Sequence, residues 1–394
     1  MPRLYPFEAL RPHADFIDLV TAKSSDFSRK DDLVREIQNN PYSFHHVTKS
    51  HLRQTGSYQS PEKFLPFAIN YVKSMKNSGV LVKEKEDSFY YYEQVLENGD
   101  TFSGIIALYS VEDYRNNKIK RHEEIRPNRL QYLVEMFKSV KVLGEPTLLA
   151  FKGSISFDEF SKDALYSFCS PDGKTHRVFK ISDPDEIIKL SNEFEKIESL
   201  YIADGHHRSA STEKFNQSTL NYKNDKTMCF VIAENQLKIL PFQRLIKPIS
   251  SIDKECLILR LSENFNIVKS QKSVYDVIDK ETFGLYIDKE WYQLKYKSNG
   301  SDLLDVEIIE KEIIQKVFGI TDSRTDSQIA FHPYTKGEKE LCSLIDNDIY
   351  RIAITNKPCD FSDVRRISDD NKTLPPKSTY IEPKLRSGMI IQEF

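Results

Sequence analysis

At 394 residues the chain is too long for one ordinary core, so two domains are expected. Its 39% hydrophobic, 29% charged and 11% aromatic content excludes a disordered chain. The 56 Lys and Arg almost balance the 59 acidic residues, for a net charge of −3, which gives no global pull toward DNA or an anionic membrane.

In chain order, "KDDLVREIQN" (30–39) has helical spacing and ends at the stop signal Asn40-Pro41. "SPEKFLPFAINYVKSMKNSG" predicts a second helix, with Ser60 as N-cap, Pro61 at the first helical position and Gly79 at the end. "SFYYYEQVLENGDTFSGIIALYSV" predicts two strands around the turn Asn98-Gly99-Asp100. "RLQYLVEMFKSVKVL" reads as a helix and "EPTLLAFKG" as a strand. "DPDEIIKLSNEFEKI" is an amphipathic helix capped by Ser182 or Asp183. "SLYIADGHHRSASTEKFNQ" reads as a short strand, a sharp turn and a helix, and "TMCFVIAENQLKILPFQRLIK" as two strands. Beyond residue 248 the pattern changes to a mixed α+β unit, ending in a Pro- and Lys-rich tail, "TLPPKSTYIEPKLRSGMIIQEF". The expected domains are therefore 1–248 and 249–394, in an α/β (α+β) chain.

The five cysteines, Cys169, Cys229, Cys256, Cys342 and Cys359, form no CxxC, which fits a reducing cytosol. "MPRLYPFEALRPHADF" carries charges and prolines where a signal peptide needs an apolar run. No stretch approaches the ~20 apolar residues of a membrane span. A soluble, cytoplasmic protein is expected.

The densest chemistry lies in "ADGHHR" (203–208). Adjacent His206 and His207 diverge by about 100° on a helix, so they do not easily share one metal ion. Anion binding fits better. A strand ends, Gly205 permits close backbone approach, and a helix begins whose first-turn N–H groups suit a phosphate. Arg208 adds a planar bidentate donor. His206 and His207, if protonated, would stabilise phosphoryl charge, while Asp204 would act as a base, a histidine orienter or a metal carboxylate.

"ADGHHR" resembles the signature of the ParB/sulfiredoxin-like superfamily, whose Gly-x-x-Arg turn binds nucleotide phosphates. The whole chain resembles domain of unknown function family 1015. The resemblance is carried by "YPFEALRP" (5–12), "NPYSFHHV" (40–47), "IKRHEEIRPNR" (119–129), "ADGHHR", "LPFQRLIK" (240–247) and "PPKSTYIEPKLRSG" (375–388). There are departures. "KSSDF" (23–27) replaces the family's Pro-Pro-Tyr-Asp run, Ser209 its Tyr, and Gln243-Arg244 its His-Arg. The implied architecture is a ParB/sulfiredoxin-like N-terminal domain with a mixed α+β C-terminal domain.

The resemblance implies a phosphotransferase acting on a small hydroxyl substrate, with free L-serine giving O-phospho-L-serine as the best reading. Pyrophosphate, ADP or ATP would be the donor, and Mg²⁺ would be held by donor oxygens and Asp204. The expected catalytic group is Glu123, Asp204, His206, His207 and Arg208, with Glu123 as base and Asp204 as orienter or metal carboxylate. Asp15 and Asp18 are the N-terminal alternatives for the base. Gly205, His206, His207, Arg208 and Ser209 would bind phosphate; Arg11, Ser43, His122, Arg126 and Arg244 would bind substrate. The alternatives are a nucleotide-binding switch, a DNA-associated protein, or a phosphoserine phosphatase. Sulfiredoxin-like thiol chemistry would need a cysteine in the turn, and the nearest is Cys229.

Overall fold

The computed structural model describes residues 1–24, 29–52, 61–160, 163–218, 225–248, 253–298 and 302–394. Ser60 and residues 25–27 of "KSSDF" lie outside this set. The chain forms two compact units, one of residues 1–121, 125–237 and 383–394, the other of 122–124 and 238–382. The sequence reading placed the boundary at 248 and the tail in the second domain. The strand Phe242–Ile246 explains the earlier boundary, because it pairs on both sides with strands of the second unit. The last twelve residues pair instead with the first unit, Gln392 opposite Leu143 and Ile391 opposite Leu10.

The first unit is built on a nine-stranded sheet. Its strands are β1 (Leu4–Tyr5), β2 (Phe89–Val95), β3 (Thr101–Ser110), β4 (Ile119–Lys120), β5 (Thr147–Phe151), β6 (Ala164–Cys169), β7 (Thr175–Ile181), β8 (Leu200–Asp204) and β9 (Lys226–Ala233). Their order is β4-β8-β5-β9-β3-β2-β7-β6, with β1 on the end of β3. Most pairs are antiparallel; β8 with β4 and β9 with β5 are parallel. The β2–β3 hairpin turns where expected: Gly99 takes a φ of +89°, and Leu96 N–H donates to Asp100 O at 2.8 Å.

The longer helices of this unit are α1 (Lys30–Asn39), α2 (Pro61–Asn77), α3 (Pro127–Val140), α4 (Pro184–Glu195) and α5 (His206–Ser218). Asp183, not Ser182, caps α4, accepting from the N–H groups of Asp185 and Glu186. The expected helix "RLQYLVEMFKSVKVL" stops early because Lys141 turns left-handed, at φ 58°, and Val142–Leu143 become a strand. Buried Phe89, Tyr91, Ile105, Leu149, Ile202 and Val231 form the core on one sheet face. A second cluster gathers Phe44, Phe64, Tyr71, Met136 and Ile391.

The second unit carries a six-stranded antiparallel sheet. "TMCFVIAENQLKILPFQRLIK" holds three strands where two were expected; Lys238–Leu240 separates from Phe242–Ile246 at Pro241, which lacks an N–H for the ladder. Among the described residues no helix is long and apolar enough to cross a membrane.

Candidate active site

β8 delivers its last residue, Asp204, to the sheet edge and Gly205 reverses the chain at φ +98°. That backbone favours glycine. α5 then begins at His206. Helix geometry leaves the first-turn N–H groups without acceptors four residues back. The N–H groups of Arg208 and Ser209 both turn to Gly205 O, at 2.9 and 3.1 Å.

Arg208 folds back over this turn. Its Nη2 donates to Asp204 Oδ2 at 3.2 Å and its Nη1 pairs with Glu145. The guanidinium packs so close to Gly205 that a Cβ there would lie 2.7 Å from Nη2. On the other side of Asp204, Lys384 Nζ stands 3.6 Å from Oδ1. The site is thus a chain of alternating charge: Glu145, Arg208, Asp204, Lys384.

The inner face of α5 is polar. Ser209 Oγ accepts from Tyr109 OH at 2.8 Å and lies 3.2 Å from Thr147 Oγ1. Ser209 therefore points into the sheet and leaves the phosphate-binding group. His206 is also buried, and desolvation pushes its pKa down to about 3, so it is neutral. His207 Nε2 accepts the backbone N–H of Arg126 at 2.9 Å. An accepting Nε2 carries no proton, so this ring is the neutral Nδ1–H tautomer. The expectation of two protonated donors is corrected in both cases: burial neutralises one ring and a backbone donor occupies the other.

The block 119–129 reaches the turn in part. β4 runs parallel beside β8, which brings Arg121 within electrostatic range of His206, while Arg126, the residue before α3, donates its backbone N–H to His207. Between them His122, Glu123 and Glu124 belong to the second unit: Leu374 N–H donates to His122 O, and Glu124 pairs with Arg324. Glu123 and the turn thus belong to different units.

The other proposed substrate residues are engaged elsewhere. Arg11 bonds Glu84, Tyr166 and the carbonyl of Pro12. Ser43 is buried and donates to Glu36 at 2.7 Å, between α1 and the short helix His45–Thr48. Arg244 is fully buried in the second unit, donating to Phe242 O and Asn356 Oδ1. Asp15 and Asp18 are exposed. Cys229 is buried in β9, its thiol donating to Ala107 O, and burial pushes its pKa up, which removes the thiolate that thiol chemistry needs.

Asp204 fits a protein-held Mg²⁺ poorly. Its two oxygens face Arg208 and Lys384, and no group of three His, Cys, Asp or Glu gathers among the described residues.

Two members of the charge chain were missed in the sequence. Glu145 lay in a stretch read only as a strand start. Lys384 lay in "PPKSTYIEPKLRSG", which carried the resemblance but no assigned role.

A family model described as "Protein of unknown function (DUF1015)" matches residues 4–321. The chain belongs to the DUF1015 family. The match spans the turn 203–208 and stops before Lys384. No curated protein matches the chain. Among solved structures, a conserved hypothetical protein from Pyrococcus furiosus is 14% identical, with a TM-score of 0.41 over 73% of this chain and 95% of its own. A free serine kinase in complex with AMP is 12% identical, with a TM-score of 0.41 over 73% of this chain and 90% of its own. SbnI with a C-terminal truncation from Staphylococcus aureus is 13% identical, with a TM-score of 0.42 over 72% and 85%.

Proposed function

We propose that this protein is a phosphotransferase that moves a phosphoryl group from pyrophosphate, ADP or ATP to a small hydroxyl substrate, with free L-serine as the best candidate. The observation that carries the reading is the turn: a positive-φ Gly205 between a strand and a helix N-terminus, with Arg208 folded over it. What supports the reading is this geometry and the ADGHHR motif, not the distant structural likenesses.

In the proposed reaction the serine hydroxyl oxygen attacks the terminal phosphorus of the donor. A new O–P bond forms as the bridging P–O bond breaks, releasing phosphate, AMP or ADP according to the donor. Arg208, at the start of α5, meets the charge on the transferring group. Asp204 and Glu145 orient Arg208. Asp204 is paired with Arg208 and Lys384, so its oxygens face cations and not a substrate hydroxyl. We retain Glu123 as the base that takes the hydroxyl proton. It lies between Arg121 and Ile125, where the chain leaves and rejoins the first unit. Neutral His206 and His207 shape the turn: His207 ties it to α3, and His206 fills its inner side. Mg²⁺ belongs to the proposal only as an ion carried by donor phosphate oxygens.

The test is a phosphorus NMR screen of the protein with L-serine, Mg²⁺ and each donor in turn. The expected result is a new phosphomonoester resonance with one donor. Donor left unconsumed in every combination overturns the reading.

A further inference from the structure

The C-terminal segment 383–394 runs across the first unit as a strap. Ser387 exchanges two backbone hydrogen bonds with Ala22, at 2.9 and 3.0 Å, and Ile391 exchanges two with Leu10, both 2.9 Å. Gly388 N–H donates to Gly144 O at 2.7 Å. Gly388 must be glycine: its φ is +83° and a Cβ would lie 2.6 Å from Phe44 Cβ. Arg386 donates to Thr21 O, and the Gln392 side chain bonds the backbone of Lys226 and Met228.

The strap therefore reaches Asp204 and the backbone beside Glu145. Lys384 faces Asp204 directly, and four residues later Gly388 grips the residue before Glu145. Without Lys384, Arg208 would be one cation against the two carboxylates of Asp204 and Glu145. Lys384 brings the four groups to two carboxylates against two cations. Its Nζ lies at ion-pair rather than hydrogen-bond distance from Asp204.

We propose that Lys384, supplied by the C-terminal strap from outside the family-matched residues, is a second cation of the phosphate site and sets its affinity for a diphosphate anion. The proposal rests on the phosphotransferase reading above. Arg208 approaches the phosphate from the start of α5 and Lys384 from the far side of Asp204. The Lys ammonium is a compact point charge, suited to phosphate oxygens whose positions vary between pyrophosphate and a nucleotide.

The test is calorimetric titration of the full chain with inorganic pyrophosphate and, separately, with ADP. The variants are Lys384→Met, Lys384→Gln and Lys384→Arg, with Lys189→Met as a control that removes one exposed positive charge elsewhere in the unit. Lys384→Met and Lys384→Gln are expected to weaken binding by about tenfold or more, the loss of one charge-assisted contact. Lys384→Arg should stay within about threefold of wild type, since it restores the charge, and Lys189→Met should bind as wild type. Circular dichroism and melting identify any variant that fails to fold, and two neutral variants of different length keep one available. Wild-type affinity in folded Lys384→Met or Lys384→Gln overturns the role of Lys384 and leaves the phosphotransferase reading standing. A wild-type protein that binds neither probe overturns that reading, and this proposal with it.

Discussion

Gly205→Ala tests whether the turn is built around Arg208. At φ +98° the backbone lies where L side chains are rarely found, and holding Ala there costs about 1–3 kcal/mol. The new Cβ would lie 2.7, 2.8 and 3.0 Å from Nη2, Nε and Cζ of Arg208. These atoms are the far end of a flexible side chain, so the guanidinium moves and the backbone stays. Moving it disturbs the pairs with Asp204 and Glu145, whose carboxylates are 33% and 27% exposed; pairs this open to solvent add only about 0–1 kcal/mol each. Backbone strain therefore dominates the stability loss. At roughly 2–4 °C per kcal/mol for a unit of this size, the melting temperature should fall by about 2–12 °C. The effect on binding is larger in kind, because the displaced Arg208 no longer covers the turn. Pyrophosphate affinity, read by calorimetry, should fall as far as in Arg208→Ala. The double variant should bind no worse than either single one, because both remove the same contact. A Gly205→Ala protein that melts within one degree of wild type, or that binds pyrophosphate as wild type does, refutes the account.

Arg208→Ala should keep the wild-type circular dichroism spectrum and lose about 2–4 kcal/mol of transition-state stabilisation, read as turnover in the phosphorus NMR assay; turnover within a few-fold of wild type would remove Arg208 from the mechanism. Glu123→Gln should cost about two orders of magnitude in rate with donor binding intact and flatten the acid limb of the pH profile; an unchanged rate transfers the base to Asp15 or Asp18. Burial holds His45, His51 and His176 near pKa 4 and His206 near 3, below their ordinary 6.5. The folded state then binds fewer protons than the unfolded one, so stability is complete above about pH 6.5 and falls as pH drops toward 4. Urea midpoints at pH 7 and pH 5 measure this, and equal midpoints would show that these rings are not held neutral. Asp183→Ala removes the α4 cap and should cost about 0.5–2 kcal/mol, read from the same urea curves, with no change in pyrophosphate affinity.

Local chemistry made much of the first unit legible. Asn98-Gly99-Asp100 marks the β2–β3 hairpin because a glycine with positive φ is what a tight antiparallel turn requires. Pro184 after Asp183 marks the start of α4 for an equally local reason. The turn at 204–208 was legible as a strand-Gly-helix pattern. The inward face of its helix was not, because His206, Ser209, Ser211 and Thr212 are buried there in place of apolar residues, so no apolar stripe shows which side faces the sheet. The same lack of pattern hid the neutrality of His206 and the loss of Ser209 from the phosphate site. Lys384 and Glu145 were hidden by distance: Lys384 meets Asp204 through the long-range pairing of the strap and Glu145 meets Arg208 through the pairing of β5 with β8, neither of which local periodicity encodes. Pro241 was visible, but whether it would end one strand or sit at the edge of a longer one is decided by which sheet each side joins.

The strap also sets an order of events. Residues 238–382 emerge from the ribosome before residues 383–394, so the second unit is synthesised as an insertion within an unfinished first one. Until the strap arrives, Leu10 and Ala22 lack the backbone partners that Ile391 and Ser387 bring, and Asp204 lacks its lysine. The nascent first unit thus has one cation, Arg208, against two carboxylates at its turn, and the second cation arrives with the final strand pairing. Completion of the fold and readiness of the turn are one step, so a chain halted before residue 384 would carry the whole ADGHHR motif and still lack the charge balance of the finished site.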